Sequence, residues 1–208
     1  MQNQKNNPED IVEVINGRTI TYKDDTHAYY VDGIQVPSVT QIVSAILPSP
    51  YQGIETQVLK QAADRGIALH KEIEDYEISG IEGQSIEFHH YKQMKRRYGI
   101  RPLHNEKLII IERDNQVICA GRLDMIVQLE QMSGLGVSDI KRTYRIHQEH
   151  LKLQLNLYRI GYMQSYHEQI DFLVCLHLRK FVYDLIFVPI DEAYAYQALE
   201  QFYQLEKK

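Results

Sequence analysis

Asp139 and Lys141 stand two residues apart in the segment LGVSDIK, and Asp124 precedes them in GRLDMIVQL. On a β-strand, residues two apart leave the same face, so this acid and this ammonium share one side. Taken alone, such a pair is a surface ion pair worth under about 1 kcal/mol. Asp124 taken alone is more often a solvated strand residue than a ligand. The odds change if the two strands lie side by side. Two carboxylates converging on one site repel each other unless a cation sits between them. Magnesium prefers hard oxygen ligands and keeps waters, which suits two Asp and a phosphate. A cation held there would polarise a phosphate and lower the pKa of a water, while Lys141 neutralises developing charge or orients that water. The chemistry these types and spacings point to is metal-assisted phosphodiester hydrolysis.

The helical segment HLKLQLNLYRIGY adds two polar groups. Gln154 and Tyr158 are four apart and share a face with Leu151, Leu155 and Tyr162. A glutamine on a mostly apolar face needs a partner. It either bonds nearby backbone or reaches, with Tyr158, into the carboxylate site.

GRLDMIV, then SDIK, then QLNLY, in that order, resembles the PD-(D/E)xK nuclease superfamily in its RecB-like exonuclease branch, of phage and bacterial type. That branch carries a G-x-x-D strand, a D-x-K strand and a Q-x-x-x-Y helix, with an upstream histidine in a segment like R-G-x-x-x-H. Here that segment runs from Arg65-Gly66 to His70, and SVTQIVSAIL at 38–47 resembles the start of such domains. The resemblance spans about Ser38 to Tyr158. It implies that Asp124, Asp139, His70 and the backbone carbonyl of Ile140 bind Mg²⁺ or Mn²⁺. It implies that Lys141 is the catalytic lysine and that Gln154 and Tyr158 line the site near the DNA backbone. Glu106 is a possible additional ligand. Two positions depart from the pattern: Leu123 stands where the family name has proline, and Arg142 follows Lys141 where a small Thr is usual. Arg142 either contacts a phosphate or marks an early end to the strand. Arg65 is the better placed of the candidate DNA-binding arginines, with Arg142 and Arg145 beside it.

These residues need a scaffold of strands flanked by helices. Residues 18–36 alternate and carry turn signals at Asp24-Asp25 and Asp32-Gly33, which predicts a hairpin. Ser38 is placed to cap a helix ending near Leu47. A helical region covers about 54–78, with Gly66 as a potential break. Ser85 caps another helix to Tyr98, ended by Gly99 and Pro102. Strands are expected over 104–113, 116–129 and 135–141, with a turn at Asp114-Asn115. A long helix over 147–166 follows, then strands over 169–178 and 181–189. A last helix begins at Asp191. On 116–129, alternation puts Leu123, Met125, Val127 and Leu129 on one face and Arg122, Asp124, Ile126 and Gln128 on the other. The order predicts an α/β fold of restriction-endonuclease-like type: a central mixed sheet flanked by helices, after an N-terminal hairpin and helical segment.

At 208 residues the chain fits a single domain over 11–208, with residues 1–10 read as a disordered tail. The polar start MQNQKNNPED has no signal-peptide core, and no stretch approaches the about 20 apolar residues of a membrane span. The expected compartment is the cytoplasm. A net charge of −5 argues against a protein that coats DNA by bulk attraction, but not against a local basic channel around an acidic site. The basic stretch KQMKRRY (92–98) is by default a solvated helix end, and otherwise one wall of such a channel. His89 and His90 diverge by about 100° on a helix and read as structural. Cys119 and Cys175 read as buried free thiols. The absence of a CxxC pair excludes a four-cysteine iron–sulfur cluster, and no phosphate-binding loop signals a nucleotide cofactor. The leading expectation is a Mg²⁺- or Mn²⁺-dependent DNA exonuclease, with a helicase or a single-strand annealing protein as companion. The alternatives are a structure- or site-specific endonuclease on the same core, and a non-catalytic DNA-binding module on a nuclease fold.

Overall fold

A computed structural model describes residues 10–206. The tail expectation for 1–10 therefore falls outside the described residues except at Asp10, which pairs with Lys23.

Strands β1 (Ile11–Ile15), β2 (Arg18–Lys23), β3 (Ala28–Val31) and β4 (Ile34–Val36) form an antiparallel meander. The expected hairpin region 18–36 holds β2, β3 and β4 with both of its turns, and β1 adds a further hairpin by pairing with β2 across Asn16-Gly17. Both turn residues have positive φ, 53° and 77°, which Asn and Gly accept at little cost. Helices α1 (Val39–Ile46), α2 (Thr56–Ser79) and α3 (Ile86–Tyr98) follow. Ser38 caps α1 in a reciprocal box with Gln41, as its position predicts. Gly66 does not break α2, which runs unbroken to Gly80. One helical glycine costs about 1 kcal/mol, which a 24-residue helix tolerates.

The central sheet holds β5 (Arg101–Arg113), β6 (Gln116–Gln128), β7 (Gly136–Lys141), β8 (Phe172–Leu178) and β9 (Tyr183–Val188), in that order. Only β7 and β8 are parallel. The crossover that a parallel pair requires is α4 (Gln148–Tyr166), and α5 (Glu192–Glu206) closes the chain. Strand β5 starts three residues earlier than predicted and includes Pro102. Proline is tolerated there because β5 is an edge strand, and the register shifts beside it.

The architecture is α/β, a mixed five-stranded sheet with helices on both faces. Helices α1, α4 and α5 bury one face, with Ile42, Leu155 and Leu199 against Ile109, Leu123 and Val137. Helices α2 and α3 bury part of the other, with Ile73 and Phe88 against Met125, Val127 and Ile140. The N-terminal sheet covers the rest of that second layer through Ile20, Tyr22 and Val31 on Leu108, Ile110 and Ala120. Strict alternation fails on β6. Leu123 joins the α4 core while Met125 joins the α3 core, and Ile126 returns to the first. The switch falls at Asp124, where the β5–β6 ladder skips the Glu106/Asp124 pair and Glu106 adopts φ 52°. A left-handed non-glycine residue in a strand is uncommon and gathers at sites under constraint. Among the described residues no helix is long and apolar enough to cross a membrane.

Candidate active site

The site opens where β6 and β7 part. Their ladder ends at Met125↔Ser138, so the Ile140 amide has no strand partner on β6. The Asp124 carboxylate takes its place: Ile140 N–H donates to Asp124 Oδ2 at 2.6 Å. The Ile140 carbonyl meets His70 Nε2 at 3.1 Å, and His70 Nδ1 lies 3.6 Å from Asp124 Oδ1. One backbone unit, one carboxylate and one imidazole thus fix each other. His70 comes from α2, four residues after Gly66 and so on the same helix face.

Glu106 completes this group. Ligand atoms of His70, Glu106 and Asp124 all lie within 4.8 Å of one another. Burial first, then repulsion from Asp124, pushes the Glu106 carboxyl up to about 7, against the pull of Arg122 and His70. Two oxygen donors and one nitrogen donor this close together fit a divalent cation. Glu106 thus stands in the same group of three as His70 and Asp124.

Asp139 lies near enough to this group for Asp124 and His70 to act on its charge. Its buried carboxylate sits 2.8 Å from the Lys141 ammonium and lies outside the group of three. Burial pushes Asp139 up to about 6, with Lys141 pulling it down and Asp124 pushing it further up. Burial works against the Lys141 charge, but Asp139 and Asp124 outweigh it and hold the ammonium above its usual range.

On α4, Tyr158 is buried one turn from Gln154, and its pKa is raised by burial and by the nearby charges of Asp124 and Asp139. A Cβ on Gly121 would sit 2.8 Å from the Tyr158 ring and 3.0 Å from Val39. That close approach is what the glycine three residues before Asp124 permits.

The candidate DNA-binding arginines are less gathered. Arg142 pairs with the buried Glu87 at 2.7 Å, just past the end of β7. Arg65 is exposed on α2 and bonds the Gln61 carbonyl, and Arg145 is exposed on the loop before α4. In the 92–98 stretch, Lys92 and Lys95 are tied to Glu82 and Glu77. A cavity of about 900 Å³ lies beside them, lined also by Arg96, Arg101 and Glu130 and by none of His70, Glu106, Asp124 and Asp139. His89 and His90 bond backbone carbonyls, and both cysteines are buried thiols.

Sequence reasoning missed two groups. Arg122 holds Glu106 at 2.7 Å while stacking on Tyr22 at 4.5 Å. Its place two residues before Asp124 was the available signal. Glu74, one turn after His70, adds negative charge near Glu106. Helical spacing from His70 could have found it.

No family model matches the chain, and no curated protein does. Solved structures do match. One is described as the crystal structure of SSO0001, 18% identical, covering 83% of this chain and 77% of that one with a TM-score of 0.47.

Proposed function

We propose that this chain is a metal-dependent DNA nuclease of the PD-(D/E)xK superfamily, an exonuclease of the RecB-like branch acting on DNA ends. The observation that carries the reading is the convergence of His70, Glu106 and Asp124 within 4.8 Å, beside the Asp139–Lys141 pair. The element order supports it: three antiparallel strands, a crossover helix and a parallel strand suit a restriction-endonuclease-like core.

His70, Glu106 and Asp124 would hold Mg²⁺ or Mn²⁺, with the Ile140 carbonyl beside them. When bound, the cation supplies polarisation of the scissile phosphate and a more acidic water. Lys141 then holds its proton beside the phosphate and offsets developing negative charge. Asp139 keeps that ammonium in place and charged. Tyr158 and Gln154 form the wall on the α4 side. Nothing in this arrangement selects an end over an internal bond, so the exonuclease assignment rests on the resemblance of motifs.

The test is cleavage of end-labelled linear DNA and circular single-stranded DNA with Mg²⁺ and with Mn²⁺. Linear substrate should be degraded and circles spared. Asp124→Asn and Lys141→Met should each slow cleavage by roughly 10²–10³-fold, the loss seen when one charge-stabilising group is removed. Only Asp124→Asn should also weaken metal binding measured by calorimetry. Wild type as inert as Asp124→Asn with both metals and both substrates would overturn the reading; cut circles would make it an endonuclease.

A further inference from the structure

Among the described residues the two most exposed large hydrophobic side chains are Tyr144 at 90% and Phe181 at 86%, ahead of Val14 and Ile34 at 71%. One exposed aromatic is ordinary, but these two are not scattered singly. Tyr144 lies three residues past Lys141, in the irregular segment between β7 and α4. Phe181 stands in the turn between β8 and β9, where the Arg179 N–H donates to the Val182 carbonyl at 3.0 Å. β7 and β8 are parallel, with Lys141 opposite His177, so both segments leave the sheet at the same end. His177 Nε2 donates to the Thr143 carbonyl at 2.6 Å, which ties the first segment to the strand that leads into the second. Three residues of chain span at most about 10 Å, so Tyr144 stays close to Lys141.

Cations interleave with these rings. Residues 142–147 and 179–182 carry Arg142, Arg145, Arg179 and Lys180 and no acid. Arg142 is taken by Glu87 and Arg179 by Asp184. Arg145 and Lys180 are exposed and make no ion pair among the described residues. Lys180 Nζ lies 5.3 Å from the centroid of the Phe181 ring. An apolar protein partner would have to bury these charges unpaired, which is costly. A polyanion with aromatic faces meets both halves of the surface, and a nucleic acid strand is one. Within a duplex each base is covered by its neighbours, so bare faces belong to a single strand.

We propose that Tyr144 and Phe181 form a stacking rim for single-stranded DNA. Bases of the strand whose phosphate lies at Lys141 stack on the two rings, and Arg145 and Lys180 hold flanking phosphates. The proposal rests on the nuclease reading for the place of Lys141, and it names the form of the substrate: the strand reaches the site unpaired.

The chain contains no tryptophan, so Phe181→Trp places a single indole on the rim. In the full chain with EDTA, a short single-stranded oligonucleotide should quench that indole several-fold. Relaxed closed-circular duplex should leave it unchanged. Tyr144→Ala and Phe181→Ala should each weaken oligonucleotide binding about tenfold. Both side chains are exposed, so the melting temperature should stay put, and Tyr144→Phe should keep wild-type affinity. Arg145→Ala should lower the slope of log affinity against log salt by about 0.7. No quenching, equal quenching by duplex, or unchanged affinity in both alanine variants overturns the rim. Adding Mn²⁺ to the same oligonucleotide separates the two readings. Cleavage without quenching sinks the rim alone; quenching and the tenfold losses without cleavage sink the nuclease and leave the rim standing.

Discussion

Burial and the neighbouring Asp124 push Glu106 up to about 7, and burial pushes Asp139 up to about 6. Both carboxyls therefore bind protons more tightly in the folded chain than in the unfolded one. Their contribution to stability is complete below the unfolded carboxylate range, about pH 4, and is lost as pH rises through about 6 to 7. The metal-free protein should accordingly melt at a lower temperature at pH 8 than at pH 5.5. A divalent cation reverses the cause by replacing the proton between the carboxylates, so the melting-temperature gain from Mn²⁺ should grow across the same window. Thermal unfolding with EDTA and with Mn²⁺ at several pH values measures both trends. Glu106→Gln keeps the shape and removes one titrating group, so it should flatten the metal-free slope. A melting curve that shifts equally with Mn²⁺ at pH 5.5 and 8 would mean that these carboxyls are not where the metal binds. The geometry also explains why Glu106 was the least secure of the candidates. Its approach to Asp124 depends on a left-handed backbone at φ 52°, which no periodicity reports.

Gly121 and Tyr158 show how elements set the site. β6 brings Gly121 under the Tyr158 ring of α4, and a Cβ at 2.8 Å from an aromatic carbon has no flexible neighbour to displace. Gly121→Ala should push the ring off the strand carrying Asp124. The expected cost is about 1–3 kcal/mol of stability, as for other overpacked cores, with slower cleavage at unchanged metal affinity. Denaturant unfolding and calorimetry check it; a variant as stable and as fast as wild type would show that the contact relaxes freely. At this scale much was legible in the sequence. The Ser38 and Ser85 caps, the Asp114-Asn115 turn and the crossover helix each rest on local chemistry, and local chemistry is written in consecutive residues. The face switch at Asp124 was not legible, because alternation assumes an undisturbed ladder and the disturbance comes from β5. Nor was the Arg142–Glu87 pair, which joins residues far apart in the chain. β1 was within reach: IVEVING alternates and ends in an Asn-Gly turn.

The molecule as a whole ties its N-terminal sheet to the site by two routes. Ile20, Tyr22 and Val31 share a core with Leu108, Ile110 and Ala120 of the central sheet. Tyr22 also carries the Arg122 guanidinium that grips Glu106. Arg18 adds a bond to Glu112 and another to the Asn115 carbonyl in the β5–β6 turn, and Ala120 N–H donates to Pro37 at the exit from the small sheet. With this much shared burial the two sheets should unfold together, not as separate domains. Ile20 lies fully buried in the small sheet and far in sequence from every proposed ligand. Ile20→Ala should therefore remove about 2–5 kcal/mol from the whole protein, lowering one common transition by roughly 4–20 °C at this chain length. Scanning calorimetry should show that single peak moving intact, with cleavage activity lost over the same temperatures. A new low-temperature transition that leaves cleavage untouched would mean that the small sheet melts alone. The support it lends Glu106 through Tyr22 and Arg122 would then be dispensable to the site.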